Sequence, residues 1–285
     1  MPLVSTAELV EAAAADGRGI AAFNVITLEH AEAIAAGAEQ AGAPAILQIS
    51  ENAVKFHGGQ LAALATAAST VARTSSVPLA LHLDHVVSVD LLRSAADEDF
   101  SSVMFDASKL PYEDNVKATA DAVRWGHERG IWIEAELGKV GGKEGEPPLD
   151  AHTPGVRTSP SEAAAYVAAT GIDALAVAVG SSHAMTERTA SLDHTLIARL
   201  RAAVPVPLVL HGSSGVPDEE IRAAVASGMV KINVGTALNT AFTGAVRDFL
   251  TANPSTVDPR KYLGPAREAM AETVAGFLSL LGPEA

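Results

Sequence analysis

The chain has 285 residues, of which 48% are hydrophobic and 19% charged, a composition typical of a globular protein with a large core. It contains no cysteine, which excludes disulfides and thiolate chemistry and leaves His, Asp and Glu as the available metal ligands. The net charge of −14 argues against nucleic acid and anionic membranes as partners.

No apolar stretch approaches the roughly 20 residues that a membrane-spanning helix needs. The start of the chain, Met1-Pro2-Leu3-Val4-Ser5, has neither the basic region nor the apolar core of a secretory signal. We therefore expect a cytoplasmic protein.

Predicted elements follow one another in a regular cycle. Ser5-Thr6-Ala7-Glu8 resembles a capping box and predicts a short N-terminal helix. Eight short apolar runs come next, separated by Ala-rich amphipathic stretches, and such runs are typical of buried parallel strands. The predicted strands are Ile20–Asn24, Ala45–Ser50, Leu79–Asp84, Val103–Asp106, Ile131–Glu136, Ala174–Ser181, Leu208–Gly212 and Val230–Thr236.

Helical periodicity fills the gaps between these strands. Two examples are Glu113–Arg129, with Val116, Ala120, Val123 and His127 on one face, and Asp218–Ser227, with Pro217 at its start and Ile221, Ala224 and Val225 facing inward. The segment Arg260–Leu281 is expected to form a helical tail, conjectured to pack on a neighbouring subunit.

Eight β/α units without a long linker predict an α/β fold of one domain, a (β/α)₈ TIM barrel over residues 1–285. A doubly wound sheet is the alternative. It would carry a glycine-rich fingerprint after the first strand, and Phe23-Asn24-Val25-Ile26 is not one.

Polar residues end every predicted strand, where barrels place their catalytic groups. These ends are Asn24, Ser50, Asp84, Asp106, Glu136, Gly180-Ser181, His211 and Asn233. We therefore expect an active site on the C-terminal face of the barrel. The segment Leu137–Ser159 is too long for an ordinary connection and is interpreted as a lid or binding loop, with a disordered insertion as the alternative.

Three histidines follow predicted strands three, six and seven: His85, His183 and His211. Barrel geometry brings these strands to one mouth, so the three imidazoles match a catalytic metal with an open fourth position. Zinc is favoured by nitrogen ligands without sulfur, at one ion per chain, while cobalt and manganese stay open. The remaining histidines considered, His30, His57, His127, His152 and His194, are interpreted as hydrogen-bonded structural groups.

Several carboxylates lie close to these histidines in the predicted fold. Asp84 precedes a metal ligand and is interpreted either as an acceptor that orients an imidazole or as a general acid/base. Glu134 and Glu136 share one strand face, so one is expected to face the metal. Glu136 and Asp106 are candidates for supporting the ligands or holding a second metal. Glu144 lies in the long loop, which suits a base delivered only when substrate is bound.

Two glycine-containing turns predict a phosphate site. They follow strands seven and eight, where barrels frequently bind phosphate with backbone N–H groups. Their candidate residues are Gly212, Ser213 and Ser214 in the first turn, and Asn233, Val234, Gly235 and Thr236 in the second.

Taken together, the motifs resemble the class II, metal-dependent ketose-bisphosphate aldolases. The shared motifs are Leu81-His82-Leu83-Asp84-His85, Glu134-Ala135-Glu136-Leu137-Gly138 with Gly141-Gly142, His211-Gly212-Ser213-Ser214-Gly215 and Lys231-Ile232-Asn233-Val234. The resemblance runs from Ala22 to Leu263 and implies zinc on the three histidines.

The same resemblance implies roles for other residues. Asp84 would be the acid/base at the substrate C4 hydroxyl, and Glu144 would work on the dihydroxyacetone phosphate carbon. Asn24 and Ser50 would lie near the substrate. The expected reaction is reversible cleavage of a ketose 1,6-bisphosphate, of fructose or tagatose type, into dihydroxyacetone phosphate and glyceraldehyde 3-phosphate.

Two positions depart from the family pattern. Ala184 stands where the family usually has glycine beside the phosphate, and a methyl group there is expected to be tolerated if φ stays negative. Gly235 stands where the fructose-specific branch has aspartate and the tagatose-type branch a small residue. The pattern therefore leaves the sugar open.

Other functions are also compatible with parts of the pattern. Lys231 could form a Schiff base, although such an enzyme has no use for three histidines at the mouth. Related aldolases acting on another phosphorylated sugar or sugar acid, a metal-dependent isomerase or epimerase, and a non-enzymatic binding role remain alternatives. The expected assembly is a homodimer or homotetramer, and a monovalent cation as a second cofactor is left open.

Overall fold

The computed structural model describes residues 3–138, 140–141 and 156–282. Eight parallel strands close into a barrel in sequential order, each hydrogen-bonded to its neighbours and β8 to β1. The predicted (β/α)₈ barrel is confirmed. The strands are β1 Ile20–Asn24, β2 Ala45–Ser50, β3 Leu79–Val86, β4 Ser102–Phe105, β5 Trp132–Leu137, β6 Ala174–Val177, β7 Leu208–Leu210 and β8 Met229–Val234.

Helices surround the barrel on its outer face. They are α1 Thr6–Ala15, α2 Leu28–Ala41, α3 Glu51–Phe56, α4 Leu61–Thr74, α5 Val89–Ser94, α6 Tyr112–His127, α7 Pro160–Thr170, α8 His194–Ala203, α9 Asp218–Ala226, α10 Thr236–Ala252 and α11 Arg260–Leu281. None of the described helices is long and apolar enough to cross a membrane.

Strand alternation divides the barrel residues into two sets. Outward side chains such as Leu47, Leu81 and Ile133 pack with the helices in the main core. The bottom of the interior is small and apolar, and α1 packs against it through residues that include Leu9 and Val10. The upper interior is polar, which is unusual because barrel interiors are commonly filled with bulky aliphatic side chains. This polarity lies directly beneath the candidate site.

The buried face of α6 differs in part from the prediction. The inward face of α6 is formed by Asn115, Thr119, Ala122, Val123 and Gly126, whereas His127 is exposed. The predicted face was right for Val123 and for Val116, which packs against the core, and wrong for His127. It missed Asn115 and Thr119, which are buried with their amide and hydroxyl groups bonded to each other and to Tyr166.

The C-terminal tail packs within its own chain, and its conjectured contact with a neighbouring subunit stays a prediction. Helix α11 buries one face within its own chain, against α2, α9, α10 and β1. It therefore fills the place in the outer ring between α9 and α2, while α10 lies outside it with Leu238 as its buried residue.

Several strands end earlier than predicted. Strand β6 ends at Val177 instead of Ser181, and β7 ends at Leu210 instead of Gly212. The chain leaves the sheet there through residues with positive φ, Gly180 at 128° and Gly212 at 69°. The functional histidines His183 and His211 therefore lie on the loops that follow these strands.

Candidate active site

The three histidines predicted as metal ligands meet at the C-terminal mouth of the barrel. Their ring centroids are 4.8 to 5.7 Å apart, with the rings edge to face. One nitrogen from each of His85, His183 and His211 lies within 4.8 Å of the other two. A single ion between them would therefore reach all three ligands at normal bond lengths.

A carboxylate orients the first of these rings. Nδ1 of His85 is 3.1 Å from Oδ2 of Asp106, and the other oxygen of Asp106 accepts from the backbone N–H and the hydroxyl of Ser108. An imidazole that donates through Nδ1 keeps Nε2 as the lone-pair nitrogen. The contact thus supports the interpretation of Asp106 as a group that positions a ligand.

Two carboxylates hold the ring of His211. Its Nδ1 is 3.0 Å from Oε2 of Glu136 and its Nε2 is 3.1 Å from Oε1 of Glu134. Burial disfavours the charged ring, but the bonds to both carboxylates raise the pKa of His211 to about 9 in the protein alone. A metal would take the place of one ring proton, because an imidazole binds metal through a deprotonated nitrogen. Three imidazoles with the Glu136 carboxylate beside them form a donor set that fits zinc.

Backbone geometry around the mouth is strained at two non-glycine positions among the described residues. His85 has φ 50° and Ala184 has φ 57°, both in the left-handed region that disfavours side chains with a Cβ. The condition under which the methyl group of Ala184 was expected to be tolerated, a negative φ, is therefore not met. Because Ala184 follows His183, the turn that presents this ligand imposes the conformation.

Asp84 lies beside the histidines, almost fully buried, and lines the cavity. Burial opposes its ionisation, but the nearby His85, His211 and Lys231 hold the pKa of Asp84 below its usual range. Its Oδ1 receives no hydrogen bond from the part of the chain that the structure describes. Asp84 is thus an ionised carboxylate with one oxygen not held by those protein donors.

The mouth opens into a cavity of about 470 Å³. Its walls bring together many of the predicted residues: Asn24, Ser50, Asp84, His85, Asp106, His183, Ala184, Gly212, Ser214, Asn233, Gly235 and Thr236. His211 is fully buried behind this wall and its ring centroid lies 4.8 Å from that of His85.

Two residues predicted for phosphate binding have side chains that face elsewhere. The hydroxyl of Ser213 donates to the carbonyl of Leu210, and Val234 packs in the core between the barrel and the helices. Each residue retains its backbone for contact with a ligand. The prediction overlooked that strand alternation turns Val234 away from the cavity when Asn233 faces it.

The two predicted phosphate turns are joined directly. The backbone N–H of Ala237, in the first turn of α10, donates to the hydroxyl of Ser214 at 3.0 Å. The cavity thus includes the N-terminus of a 17-residue helix, where free N–H groups and the helix dipole favour anions.

Gly235 is required by a close approach. A Cβ at this position would lie 2.9 Å from Nδ2 of Asn24, whose side chain accepts a hydrogen bond from Gln48. The aspartate of the fructose-specific branch would therefore displace Asn24 in this chain.

Sequence reasoning missed several residues of the site. Gln48, Glu51, Asn52, Lys55, Val87, Lys109, Ser182 and Asn239 also line the cavity. His82 lies beneath it, with its Nε2 3.9 Å from Asp84 and from Glu134, and burial lowers the pKa of His82 to about 3. A period of two along β2 and β3 would have identified Gln48 and His82, because they share a face with Ser50 and Asp84.

Four of the histidines assigned structural roles are hydrogen-bonded as predicted. His30 contacts Thr27 and Asn239, His57 the carbonyl of Ile26, His127 Asp173 and His194 Glu220. His152 and the predicted base Glu144 lie outside the described residues. The described beginning of their loop reaches the site, since His183 N–H donates to the carbonyl of Gly141 at 2.7 Å.

Comparison with known proteins finds aldolases. The family model described as fructose-bisphosphate aldolase class-II matches residues 4–284. Fructose-bisphosphate aldolases from Thermus caldophilus and Geobacillus stearothermophilus are each 40% identical, and at least 98% of this chain and 98% of each relative are covered. The solved structure of the YdjI aldolase from Escherichia coli K12 superposes with a TM-score of 0.83 at 30% identity, covering 98% of this chain and 97% of that one.

Proposed function

The chain belongs to the class II fructose-bisphosphate aldolase family, and from this premise we propose that the cavity at the barrel mouth is its active site. The protein is an aldolase, a carbon–carbon lyase that acts on a phosphorylated sugar. It reversibly cleaves a ketose 1,6-bisphosphate into dihydroxyacetone phosphate and glyceraldehyde 3-phosphate. The observation that carries the site assignment is the convergence of three histidines at the barrel mouth, with Asp84, His85 and His183 on the cavity wall and His211 directly behind it.

The family is metal-dependent, and we propose one zinc ion per chain on His85, His183 and His211. The all-nitrogen ligand set and the carboxylates beside His85 and His211 support this choice. When bound, the metal supplies Lewis-acid polarisation of a substrate carbonyl oxygen.

Asp84 is proposed as the general acid/base. In the cleavage direction its ionised carboxylate takes the proton of the C4 hydroxyl as C4 becomes the aldehyde. The bond between C3 and C4 breaks, and its electron pair passes to C3 and the C2 carbonyl oxygen until C3 is protonated. In synthesis Asp84 returns its proton to the C4 oxygen. The lowered pKa of Asp84 and its unheld oxygen within the described site suit the first of these roles.

Glu144 is proposed as the group that exchanges a proton with the dihydroxyacetone phosphate carbon. The support is its place in the loop that begins against His183. The phosphate of this product would lie on backbone N–H groups of the Gly212–Ser214 turn and the start of α10, with Ala184, Ser213 and Val234 contributing backbone only.

The assignment is tested by an assay with and without chelator. Wild type should lose activity on chelation and regain it with added zinc. Asp84→Ala should lower kcat at least about 100-fold, as expected for a positioned acid/base, with its metal content unchanged. Asp114→Ala, an exposed carboxylate on α6, is the matched control and should keep full activity. Full activity in Asp84→Ala would overturn the assignment.

A separate measurement tests Glu144. Glu144→Ala should slow the exchange of the dihydroxyacetone phosphate C1 proton with solvent, followed by proton NMR in heavy water. Exchange at the wild-type rate would show that another group is the base.

The preferred sugar is addressed by running fructose and tagatose 1,6-bisphosphate in parallel. The names of the relatives favour fructose, whereas Gly235 is the small residue of the tagatose-type branch. We propose fructose as the better substrate. A tagatose preference in kcat/KM would instead assign the specificity to Gly235 and its neighbour Asn24.

We also propose that residues 1–285 form one catalytic domain, supported by the family match over 4–284.

A homodimer or homotetramer is proposed because apolar residues of α10, such as Phe242, Val246 and Phe249, are partly exposed. Light scattering tests the oligomeric state. The monovalent cation and the cytoplasmic location stay predictions.

A further inference from the structure

A lysine inside the barrel has no part in the proposed reaction. Lys231 lies on β8 with its side chain fully buried. A buried ammonium group is costly unless acceptors surround it. Nζ of Lys231 lies 2.8 Å from Oε2 of Glu134 and donates to Oδ1 of Asn233 at 2.9 Å. The group therefore connects the buried interior to a residue of the cavity wall.

Glu134 fixes the position of this ammonium group. It is itself fully buried on β5, and its second oxygen is 3.1 Å from Nε2 of His211. Burial opposes the charge on this carboxylate, yet Lys231 and His211 hold the pKa of Glu134 well below its usual range. The carboxylate thus has a cation or donor at each oxygen and cannot turn without losing one.

Lys231 in turn determines which end of the Asn233 amide faces the substrate. An ammonium group only donates, an amide oxygen accepts and an amide nitrogen donates. The bond from Lys231 therefore keeps Oδ1 toward the barrel interior. With Oδ1 bonded to Lys231, Nδ2 is the amide group left for a ligand in the cavity that Asn233 lines.

We propose that Lys231 is a positioning residue that presents the Nδ2 donors of Asn233 to an anionic oxygen of the substrate. The inference rests on the proposed function and deepens it by assigning Asn233 a donor role. It also replaces the Schiff-base alternative, because a nucleophilic lysine must reach the substrate as a neutral amine. Lys231 is 0% exposed, and its Nζ lies against the carboxylate of Glu134 and the amide oxygen of Asn233.

The test removes the charge of Lys231 together with that of its partner Glu134, so that no buried charge is left unpaired. Lys231→Met alone would leave a buried carboxylate without its cation, which is strongly destabilising. The comparison is therefore between Glu134→Gln and Lys231→Met/Glu134→Gln, because glutamine keeps an acceptor for His211. Lys117→Met, an exposed lysine on α6, is the control for the substitution itself.

Binding of dihydroxyacetone phosphate is measured by calorimetry, together with kcat, KM and metal content. Lys231→Met/Glu134→Gln should bind about 10-fold more weakly than Glu134→Gln, the scale of one hydrogen bond to a charged group. The metal content should stay equal, and Lys117→Met should match wild type. When Asn233→Ala is added to both of these variants, the difference in binding between Glu134→Gln and Lys231→Met/Glu134→Gln should disappear.

Asn233→Asp gives a second, independent readout. Aspartate still pairs with Lys231, so the melting temperature should be kept, but it presents oxygen instead of N–H to the substrate, and binding should fall. Unchanged binding in Lys231→Met/Glu134→Gln, or an equal loss with and without Asn233, would overturn the positioning role. Trapping of Lys231 by borohydride with substrate would also overturn it. A wild type that binds but does not cleave would instead count against the proposed function alone.

Discussion

Ala184 shows how a single backbone angle changes the interpretation of a substitution. The methyl group was expected to be tolerated only at a negative φ, and the observed φ of Ala184 is 57°. An L-residue pays about 1–2 kcal/mol in this region, and glycine does not. His85 has a similar φ of 50°, and there the side chain is the proposed metal ligand, so glycine could not replace it without loss of that ligand.

Ala184→Gly should therefore stabilise the protein, by about 1 kcal/mol after the entropy cost of glycine is subtracted. Urea denaturation would show a higher midpoint, and KM for the bisphosphate should fall or stay the same. Ala14→Gly is the control, because Ala14 is an exposed helical residue of α1, where glycine should cost about 1 kcal/mol. A lower midpoint for both variants would contradict the strain argument.

Gly235 carries a prediction about activity without a change in fold. Gly235→Ala places a Cβ 2.9 Å from Asn24, so that side chain must move and lose its bond from Gln48. We expect a kcat/KM several-fold lower, at an unchanged melting temperature. Gly244→Ala on α10, with no atom within 4 Å of the added methyl, should leave activity unchanged. In an Asn24→Ala background, Gly235→Ala should have no additional effect, and a persistent loss would disprove the coupling.

At the residue scale, the sequence predicted the groups that end strands and missed those that pair across the barrel. His85, His183 and His211 were found because each follows an apolar run. The contacts of Glu134 with Lys231 and His211 join strands five, seven and eight, and such pairs depend on how the closed barrel fills its interior. Local sequence patterns do not predict such contacts between distant strands.

At the scale of elements, two glycines on the neighbouring helices α2 and α11 have opposite effects on stability. A Cβ at Gly37 of α2 would meet the carbonyl of Ala271 at 2.4 Å and Val274 at 2.7 Å, so α2 and α11 pack with their backbones close together. Gly276 of α11 faces open space. The first glycine is needed for the helix contact, whereas the second only weakens its helix.

Gly37→Ala should consequently destabilise the protein by about 1–3 kcal/mol through overpacking, while Gly276→Ala should stabilise it by up to about 1 kcal/mol. Thermal melts followed by circular dichroism compare the two alanines directly. If both substitutions raised the melting temperature, the close approach of α2 and α11 would be wrong.

The helices and strands themselves were largely predictable, because short apolar runs separated by amphipathic stretches leave few alternative secondary-structure assignments. Strand ends were less predictable. The runs Ala174–Ser181 and Leu208–Gly212 continue in sequence past the observed ends of β6 and β7, where loop contacts override the apolar pattern. The polar residues of the inner face of α6 were missed for a related reason, since they are bonded to Tyr166 on α7.

The net charge of the whole protein has the same sign as that of the proposed substrate. A net charge of −14 repels a sugar bisphosphate at long range, whereas the proposed phosphate site at the start of α10 and the turn at Gly212 would attract it at short range. These two influences respond differently to salt. The Debye length falls from about 30 Å at 0.01 M to about 10 Å at 0.1 M, so added salt weakens the global repulsion before it weakens contacts inside the cavity.

We therefore expect KM for fructose 1,6-bisphosphate to fall several-fold as sodium chloride rises from about 10 to about 150 mM, and kcat to stay constant. In the synthetic direction, KM for uncharged glyceraldehyde at saturating dihydroxyacetone phosphate provides the internal control and should not change. A bisphosphate KM that rises over the same range would mean that the local anion site dominates even at long range. In that case the acidic surface lies too far from the barrel mouth to influence how the substrate enters.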